Sequence, residues 1–490
     1  MRSRHDRRSF LRNTAIAGAA ISLPGTRLHA ATNNLGPNDQ INIGMIGAGG
    51  RASELLNAIQ EVGGTKVLAV ADPDIDRATA LAKKCDAKPY QDLRTIIDDV
   101  NVHAVFIATC NHWHCLAAIW AMQAGKDVYV EKPLSHTQWE GRQVIQATRK
   151  YGRIVQVGTQ QRSDPMQAEL KKFLHKDKSL GKIEYAQANR LGVRETIGKR
   201  NTALVIPKEV NYDLWLGPAA EEPLLRDKLH YDWHWTYNTG NGEMGNWGVH
   251  VLDDVRNVAY QDSASLPNSV FAVGGRVAWN DAGNTPNVHY AIFETESFPT
   301  LIALSNLPGG KAMKGSWDSK GGRPASGPGS GYVVACEGGY LLGSRQNGRA
   351  IDREGKTIRT FKGGDIVPLH VKNFFDAMRS RDRDSLNAEV QVGHDSTGWC
   401  NLANVGYQTA STFDKDQLVR AGANLEAWPT LMKEMETQLK PLGVEASDLH
   451  VSPKLTHDPK TEKFTGDHAD VANSFLKRTY RKGYEFPEIG

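Results

Sequence analysis

The stretch Ile41-Asn42-Ile43-Gly44-Met45-Ile46-Gly47-Ala48-Gly49-Gly50-Arg51-Ala52 reads as a short apolar strand that runs straight into a glycine turn and then into a helix. In that setting Gly47 permits the tight turn, Gly49 lets a pyrophosphate approach the backbone, and small Ala52 packs helix against strand. Free N–H groups at the helix start can then bind phosphate, which makes Gly47, Gly49, Gly50 and Arg51 candidate dinucleotide contacts. Asp72 ends the next strand in Val70-Ala71-Asp72-Pro73, 23 residues after Gly49. A carboxylate there accepts hydrogen bonds from a ribose 2′-hydroxyl and repels a 2′-phosphate, favouring NAD over NADP as the cofactor.

Outward from this turn, residues 40 to 159 alternate β-branched runs with helical patterns, as expected for a parallel sheet covered by helices. Strands are predicted at Ile41–Ile46, Lys66–Ala71, His103–Ala108, Asp127–Glu131 and Ile154–Gly158, with helices at about 51–61, 74–84, 112–124 and 138–150. The last helix opens on Thr137-x-x-Glu140, a capping-box spacing. From 160 to 411 the predicted strands, at about 182–191, 269–279, 287–295, 300–306 and 331–337, are longer and hairpin-connected, implying a mainly antiparallel sheet. Helices are predicted near 248–259, 368–380 and 393–408, and Pro308–Gly331, rich in Gly, Pro and Ser, reads as a loop or lid. The tail, 412–490, is polar, with one amphipathic helix near 425–438, and is expected to wrap the body or a neighbouring subunit. The expected fold class is thus α/β: an N-terminal Rossmann dinucleotide-binding domain at 40–159, an α+β domain with a large open sheet at 160–411, and a C-terminal extension.

Residues 1–31 read as an address. Arg7-Arg8-Ser9-Phe10-Leu11-Arg12 precedes a weakly apolar run from Thr14 to Leu23 that is far short of the roughly 20 residues needed to span a bilayer. The pattern resembles a twin-arginine export signal, whose pathway moves folded proteins, with cleavage near Ala30 or Ala31 and a periplasmic or otherwise exported destination. Six arginines against Asp6 account for the formal charge of +4, so the rest of the chain is near neutral and has no basic surface for nucleic acid or anionic lipid. Five cysteines, an odd number, argue against a disulfide framework.

Two further segments carry chemistry: Ala108-Thr109-Cys110-Asn111-His112-Trp113-His114 and Gly125-Lys126-Asp127-Val128-Tyr129-Val130-Glu131-Lys132-Pro133. Both fall at carboxyl ends of strands, where a doubly wound sheet places its ligands. Lys132 there can lie beside a nicotinamide and a substrate hydroxyl, its charge stabilising a developing alkoxide. With the glycine turn, these segments resemble the glucose–fructose oxidoreductase, inositol dehydrogenase and rhizopine-catabolism family (Gfo/Idh/MocA) from about Ile41 to Gln408. The resemblance implies an NAD-dependent sugar oxidoreductase. It also implies cofactor contacts from Thr109, Asn111 and His114, and from Glu131, Lys132 and Gln160. A His112-x-His114 metal site is the lesser reading, since no third ligand is evident.

The second-domain signature is Gly240-Asn241-Gly242-Glu243-Met244-Gly245-Asn246-Trp247-Gly248-Val249-His250-Val251-Leu252-Asp253-Asp254. On a helix, His250 and Asp253 share a face, so Asp253 can orient the imidazole. Relatives commonly carry Asp four residues before this histidine; here Asn246 stands there, able to position a sugar hydroxyl but not to accept its proton. The base role therefore falls on His250, with Lys132 and Asp253 as catalytic partners. Trp215, Trp233, Trp235 and Trp247, with Tyr231, His234 and Tyr237, suit either a carbohydrate pocket, to which Trp235 would contribute, or a buried aromatic cluster. Arg190 is a further substrate contact by its place in the family pattern. The resemblance also implies a homo-oligomer joined through the open sheet.

The expected step is removal of a ring-hydroxyl proton by His250 as hydride moves to the nicotinamide. Free NAD is expected to be scarce outside the cytoplasm, so an exported enzyme would retain its cofactor and run a redox-neutral cycle. Either a second substrate reoxidises the cofactor, or transient C3 oxidation drives elimination and water addition, giving net glycoside hydrolysis without the usual paired carboxylates. A non-catalytic sugar-binding protein that keeps the fold is the alternative from another class.

Overall fold

The computed structural model describes residue 36, residues 39–308 and residues 328–489. The leader at 1–31 and most of the 308–331 segment lie outside the described residues. Strands β1 (Ile41–Ile46), β2 (Thr65–Ala71), β3 (Lys88–Tyr90), β4 (Ala104–Ile107), β5 (Asp127–Val130) and β6 (Val155–Val157) form a parallel sheet in the order β3-β2-β1-β4-β5-β6. The order reverses at β1, so the connections leaving β1 and β4 diverge and open a crevice beyond the strand ends. Register pairs Ile46 with both Ala71 and Ile107, which sets Gly47, Asp72 and Ala108 side by side.

Alternation along β1 turns Ile41, Ile43 and Met45 to one face. Ala52, Leu55, Leu56 and Ile59 of helix α1 (Gly50–Val62) meet them at helical spacing. Helices α2 (Ile75–Lys83), α3 (Asn111–Gln123) and α4 (Gln138–Tyr151) follow β2, β4 and β5. The Thr137 hydroxyl caps α4 by accepting the Glu140 N–H at 3.4 Å, but the Glu140 carboxylate turns to the His136 N–H at 3.3 Å instead of to Thr137. The short edge strand β3 has no β-branched residue, and sequence pattern missed it.

The second sheet runs β14-β13-β12-β11-β7-β10-β9-β8-β16-β15, in which β15 is Ser411–Thr412 and β16 is His450–Val451, and a hairpin of β17 (Leu455–Asp458) and β18 (Lys463–Thr465) attaches to β8. Its strands include β7 (Ile183–Leu191), β8 (Ser269–Gly275), β9 (Val288–Glu294), β10 (Thr300–Ser305), β11 (Ser330–Cys336), β12 (Gly339–Ser344), β13 (Asn347–Ile351) and β14 (Thr357–Lys362). Only the β7–β10 pair is parallel along this path, so the sheet is mainly antiparallel as expected. One face packs on helices α5 (Val249–Val255) and α7 (Val390–Gln408) through Leu252, Val255, Trp399 and Leu402. α5 sits between two π-helical turns, Met244–Gly248 and Arg256–Tyr260.

Helix α6 (Ile366–Ser380), inside the expected 160–411 domain, drives Phe374 and Phe375 into the core of the parallel sheet beside Phe106 and Tyr129. The other face of this open sheet is covered within the chain: helix α8 (Ala427–Leu439) of the extension lays Trp428, Leu431, Met435 and Leu439 over Phe271, Val273 and Tyr290. The last residues return to the first domain, where Tyr484 and Phe486 pack with Trp113 and Trp139. The extension thus wraps the body. The five cysteines are free, and no described helix is long and apolar enough to cross a membrane.

Trp428 is buried, and its indole N–H donates to the Leu418 carbonyl at 3.0 Å. Trp428→Ala is expected to cost about 3–5 kcal/mol of stability in urea denaturation, with nucleotide binding by the folded protein retained.

Candidate active site

The ends of β1, β2, β4 and β5 open into a cavity of about 550 Å³ that residues from the second domain close. Gly47 has φ +94°, and a Cβ there would stand 2.5 Å from the Ala108 carbonyl oxygen, so both the conformation and the close approach require glycine. At Gly50 a Cβ would meet nothing within 4 Å, and at Gly49 only the tip of Arg77 at 3.8 Å. No side chain caps α1, whose first N–H groups therefore stay available beside this open space. Asp72 accepts the Ala48 N–H at 2.7 Å and the Asp74 N–H at 2.9 Å, which fixes the carboxylate against the glycine turn. Burial pushes its pKa up against these two hydrogen bonds. A bare helix start, a glycine cradle and a fixed carboxylate at the end of β2 together fit a dinucleotide.

Glu131 follows β5 and is nearly buried. It accepts from Arg51 Nε at 2.7 Å and Gln160 Nε2 at 2.9 Å, and Gln160 also donates to the Tyr129 hydroxyl at 2.8 Å. Arg51, Glu131 and Gln160 thus line the cavity as one bonded set. Lys132 points the other way: Nζ donates to the Asn246 carbonyl at 2.7 Å and to Asn246 Oδ1 at 3.2 Å. Burial lowers the Lys132 pKa to about 8, opposed by Glu131 and assisted by Arg51.

Asn246 Nδ2 donates to Glu243 at 3.0 Å, so both ends of its amide are committed. Glu243 is fully buried and pairs with Arg190 and Arg194. His250 faces the cavity with no carboxylate beside it; instead Arg345 Nη2 lies 3.5 Å from its Nε2. A guanidinium only donates, so this contact places the lone pair on Nε2. Burial, then Lys132 and Arg345, push the imidazole pKa well down, and it is neutral.

Of the expected contacts, Gly47, Gly49, Gly50, Arg51, Asp72, Thr109, Asn111, His114, Glu131, Lys132, Gln160, Asn246 and His250 all line this cavity. Three do not. Asp253 pairs with Arg162 at 2.8 Å and accepts from Ser396 at 2.6 Å, because its side chain leaves the helix toward α7, so it does not orient His250. Arg190 is held by Glu243 and lies 4.1 Å from the Trp247 ring, behind the lining. Trp235 is buried in the core; Trp233 and His234, stacked at 3.6 Å, and Trp215 and Trp247 supply the aromatic wall instead. His114 lies between the Pro133 and Thr109 carbonyls and His112 between those of Thr239 and Trp215, so each ring donates its single N–H to one of the two oxygens beside it. Burial lowers both, His112 to about 3.

Arg345 was not legible in the sequence. It stands in the turn between β12 and β13, and only the β11–β12–β13 pairing carries it to the cavity.

A doubly wound parallel sheet with a glycine cradle, closed by a second domain whose helical segment Met244–Val255 brings Asn246 to Lys132 and His250 to the cavity, defines a two-domain protein of the dinucleotide-binding class. Residues 41–159 match the model of the oxidoreductase family GFO_IDH_MocA, NAD-binding Rossmann fold, and residues 195–286 match its C-terminal alpha/beta domain. Over these two segments the chain matches that family. It is 36% identical over 137 residues to inositol 2-dehydrogenase 2 of Saccharopolyspora erythraea, covering 27% of this chain and 40% of that protein. It is 33% identical over 153 residues to levoglucosan dehydrogenase of Pseudarthrobacter phenanthrenivorans, covering 29% of this chain and 39% of that one. The chain thus spans about two fifths of the length of the curated relatives it matches. Among solved structures, levoglucosan dehydrogenase in complex with NADH and levoglucosan aligns with TM-score 0.54 at 16% identity, covering 74% of this chain and 96% of that one. The WlbA dehydrogenase from Bordetella pertussis, in complex with NADH and UDP-GlcNAcA, aligns with TM-score 0.53 at 17% identity, covering 73% and 94%. These likenesses show the fold.

Because position 50 has room for a methyl group in the protein itself, Gly50→Ala is expected to leave the melting temperature nearly unchanged while weakening NADH binding at least about tenfold by fluorescence titration. Unchanged NADH affinity would remove this turn from the nucleotide site.

Proposed function

We propose that this chain is an exported, NAD-dependent oxidoreductase acting on a ring hydroxyl of a sugar, polyol or glycoside, with its nucleotide retained through a redox-neutral cycle. The observation that carries this reading is that Lys132 and His250, from two different domains, line the cavity that begins at the glycine cradle. Asp72, held against the turn by the Ala48 N–H, favours a free ribose 2′-hydroxyl over a phosphate and so NAD over NADP. The chemistry supplied by a bound nicotinamide is reversible acceptance of hydride.

The chain's own residues handle the proton and the charge. His250 lines the cavity as a neutral imidazole, so it can take the hydroxyl proton at Nε2 as the carbon–hydrogen bond breaks, once the substrate hydroxyl has displaced the Arg345 N–H that lies 3.5 Å away. Lys132, fixed on Asn246, lowers the energy of the alkoxide that develops beside it. Asn246 positions this ammonium and is not a proton acceptor. Tryptophan faces in the wall suit the apolar face of a pyranose. The paired Arg7-Arg8 and the apolar run after it support export, and export supports a cofactor that stays bound.

Two measurements test this. Nucleotide released from the purified protein by denaturation, with parallel assays for keto-sugar and for glycoside cleavage, is expected to yield NAD and sugar turnover without net NADH. Absence of bound or bindable nucleotide would overturn the oxidoreductase reading, and stoichiometric NADH would overturn the redox-neutral one. The second is pH dependence. Lys132 is an ammonium below about 8 and a free amine above it. Loss of the ammonium removes the alkoxide partner, so kcat/KM is expected to fall as pH rises through about 8. A rise over the same interval would make Lys132 the proton acceptor instead.

A further inference from the structure

Of the described arginines that line the cavity, Arg51 and Arg77 are ion-paired and Arg345 is not. Arg51 is tied to Glu54 and Glu131, Arg190 and Arg194 to Glu243, and Arg162 to Asp253 and Asp262. Arg345 has no carboxylate within ion-pair distance among the described residues. Its Nε donates to the Gln161 side-chain carbonyl at 3.1 Å, its Nη2 reaches His250, and its guanidinium carbon lies 4.4 Å from the Trp247 ring centroid. These contacts hold the plane of the group in the cavity wall and leave Nη1 without a partner. Among the described residues the Lys132 ammonium donates to the two oxygens of Asn246 and touches no carboxylate within ion-pair distance. The cavity's own carboxylates are engaged elsewhere: Glu54 and Glu131 on Arg51, and Asp72 on the glycine turn.

The His250 region of the cavity thus holds two cations, neither in direct contact with a carboxylate among the described residues; Glu131 and Glu243 act on Lys132, and Asp254 on Arg345, only from further off. Arg345 makes the charge on Lys132 costlier, and both press on His250. A neutral polyol would leave that cost in place. A planar fork of N–H donors beside a second cation is the arrangement that recognises an oxyanion.

We propose that Arg345 is a specificity-determining residue that receives an anionic substituent of the substrate, so that the sugar bound beside Lys132 and His250 is an acidic one. This rests on the sugar-oxidoreductase reading above and names its substrate class. The oxyanion can be a ring carboxylate or an ester phosphate; both offer the guanidinium the same pair of acceptor oxygens.

The test uses the full chain loaded with NADH and a panel of matched ligands: glucose with glucuronate and glucose 6-phosphate, and galactose with galacturonate. Affinities are read by calorimetry for the wild type, Arg345→Gln and Arg345→Lys. Arg345 stands in an exposed hairpin turn, so these variants are expected to fold, and their NADH affinity is measured on the same samples. The expected result is that at least one acidic ligand binds about tenfold or more tightly than its neutral partner. Arg345→Gln should abolish this preference, Arg345→Lys should restore part of it, and NADH affinity should hold. Preference for a uronate identifies a carboxylate, and preference for the 6-phosphate identifies an ester. If no acidic ligand is preferred, or if Arg345→Gln weakens NADH instead of the acidic ligand, the proposal is overturned. Failure of the wild type to bind NADH would overturn the oxidoreductase reading itself, a separate outcome.

Discussion

A side chain at position 47 would begin 2.5 Å from the carbonyl oxygen of Ala108. This approach of backbone to backbone, at the point where strand order reverses, is the constraint on which the site depends. It lets β1 end flush with β4, turns the chain at φ +94° into α1, and leaves the start of that helix uncapped over open space. The same turn presents the Ala48 N–H to Asp72, so the second strand end is locked to the first. Any Cβ at Gly47 would spread these ends and dissolve the cradle.

From that turn outward the site is held by two buried carboxylates. Burying a carboxylate is costly unless it is paired and hydrogen-bonded, so each draws cations to it. Glu131 gathers Arg51 from the glycine helix and Gln160 from beyond β6, joining the ends of β1, β5 and β6. Glu243 gathers Arg190 from β7 and Arg194 from just beyond it and, through the Asn246 amide, reaches Lys132. The lysine next to Glu131 in sequence is thereby positioned by the other domain. The substrate end of the cavity is thus assembled only when both domains are in place.

The parallel sheet was legible because its strands and helices carry strong, regular apolar periodicity, and because the turn glycines have one physical use in that setting. Asp72, Lys132 and His250 were legible as chemistry at strand and helix ends. Spacing failed where side chains had competing partners. His250 and Asp253 are three apart on a helix, yet Arg162 and Ser396 claim Asp253 from the other side. Trp235 belongs to an aromatic run whose members diverge, and only the packing decides which face the cavity. Arg345 lies nearly a hundred residues from His250, in a hairpin turn with no motif of its own. Helix α6 returned to the first sheet because its Phe374 and Phe375 complete that core, a long-range choice that local pattern does not encode.

The central claim is that one dinucleotide lies from the glycine cradle to Lys132 and His250. Crystals of the full chain grown with NADH test it directly. The pyrophosphate is expected against the first turn of α1, the adenosine ribose at Asp72, and the nicotinamide in contact reach of Lys132 and His250. A nucleotide bound elsewhere, or none at saturating NADH, would contradict the account.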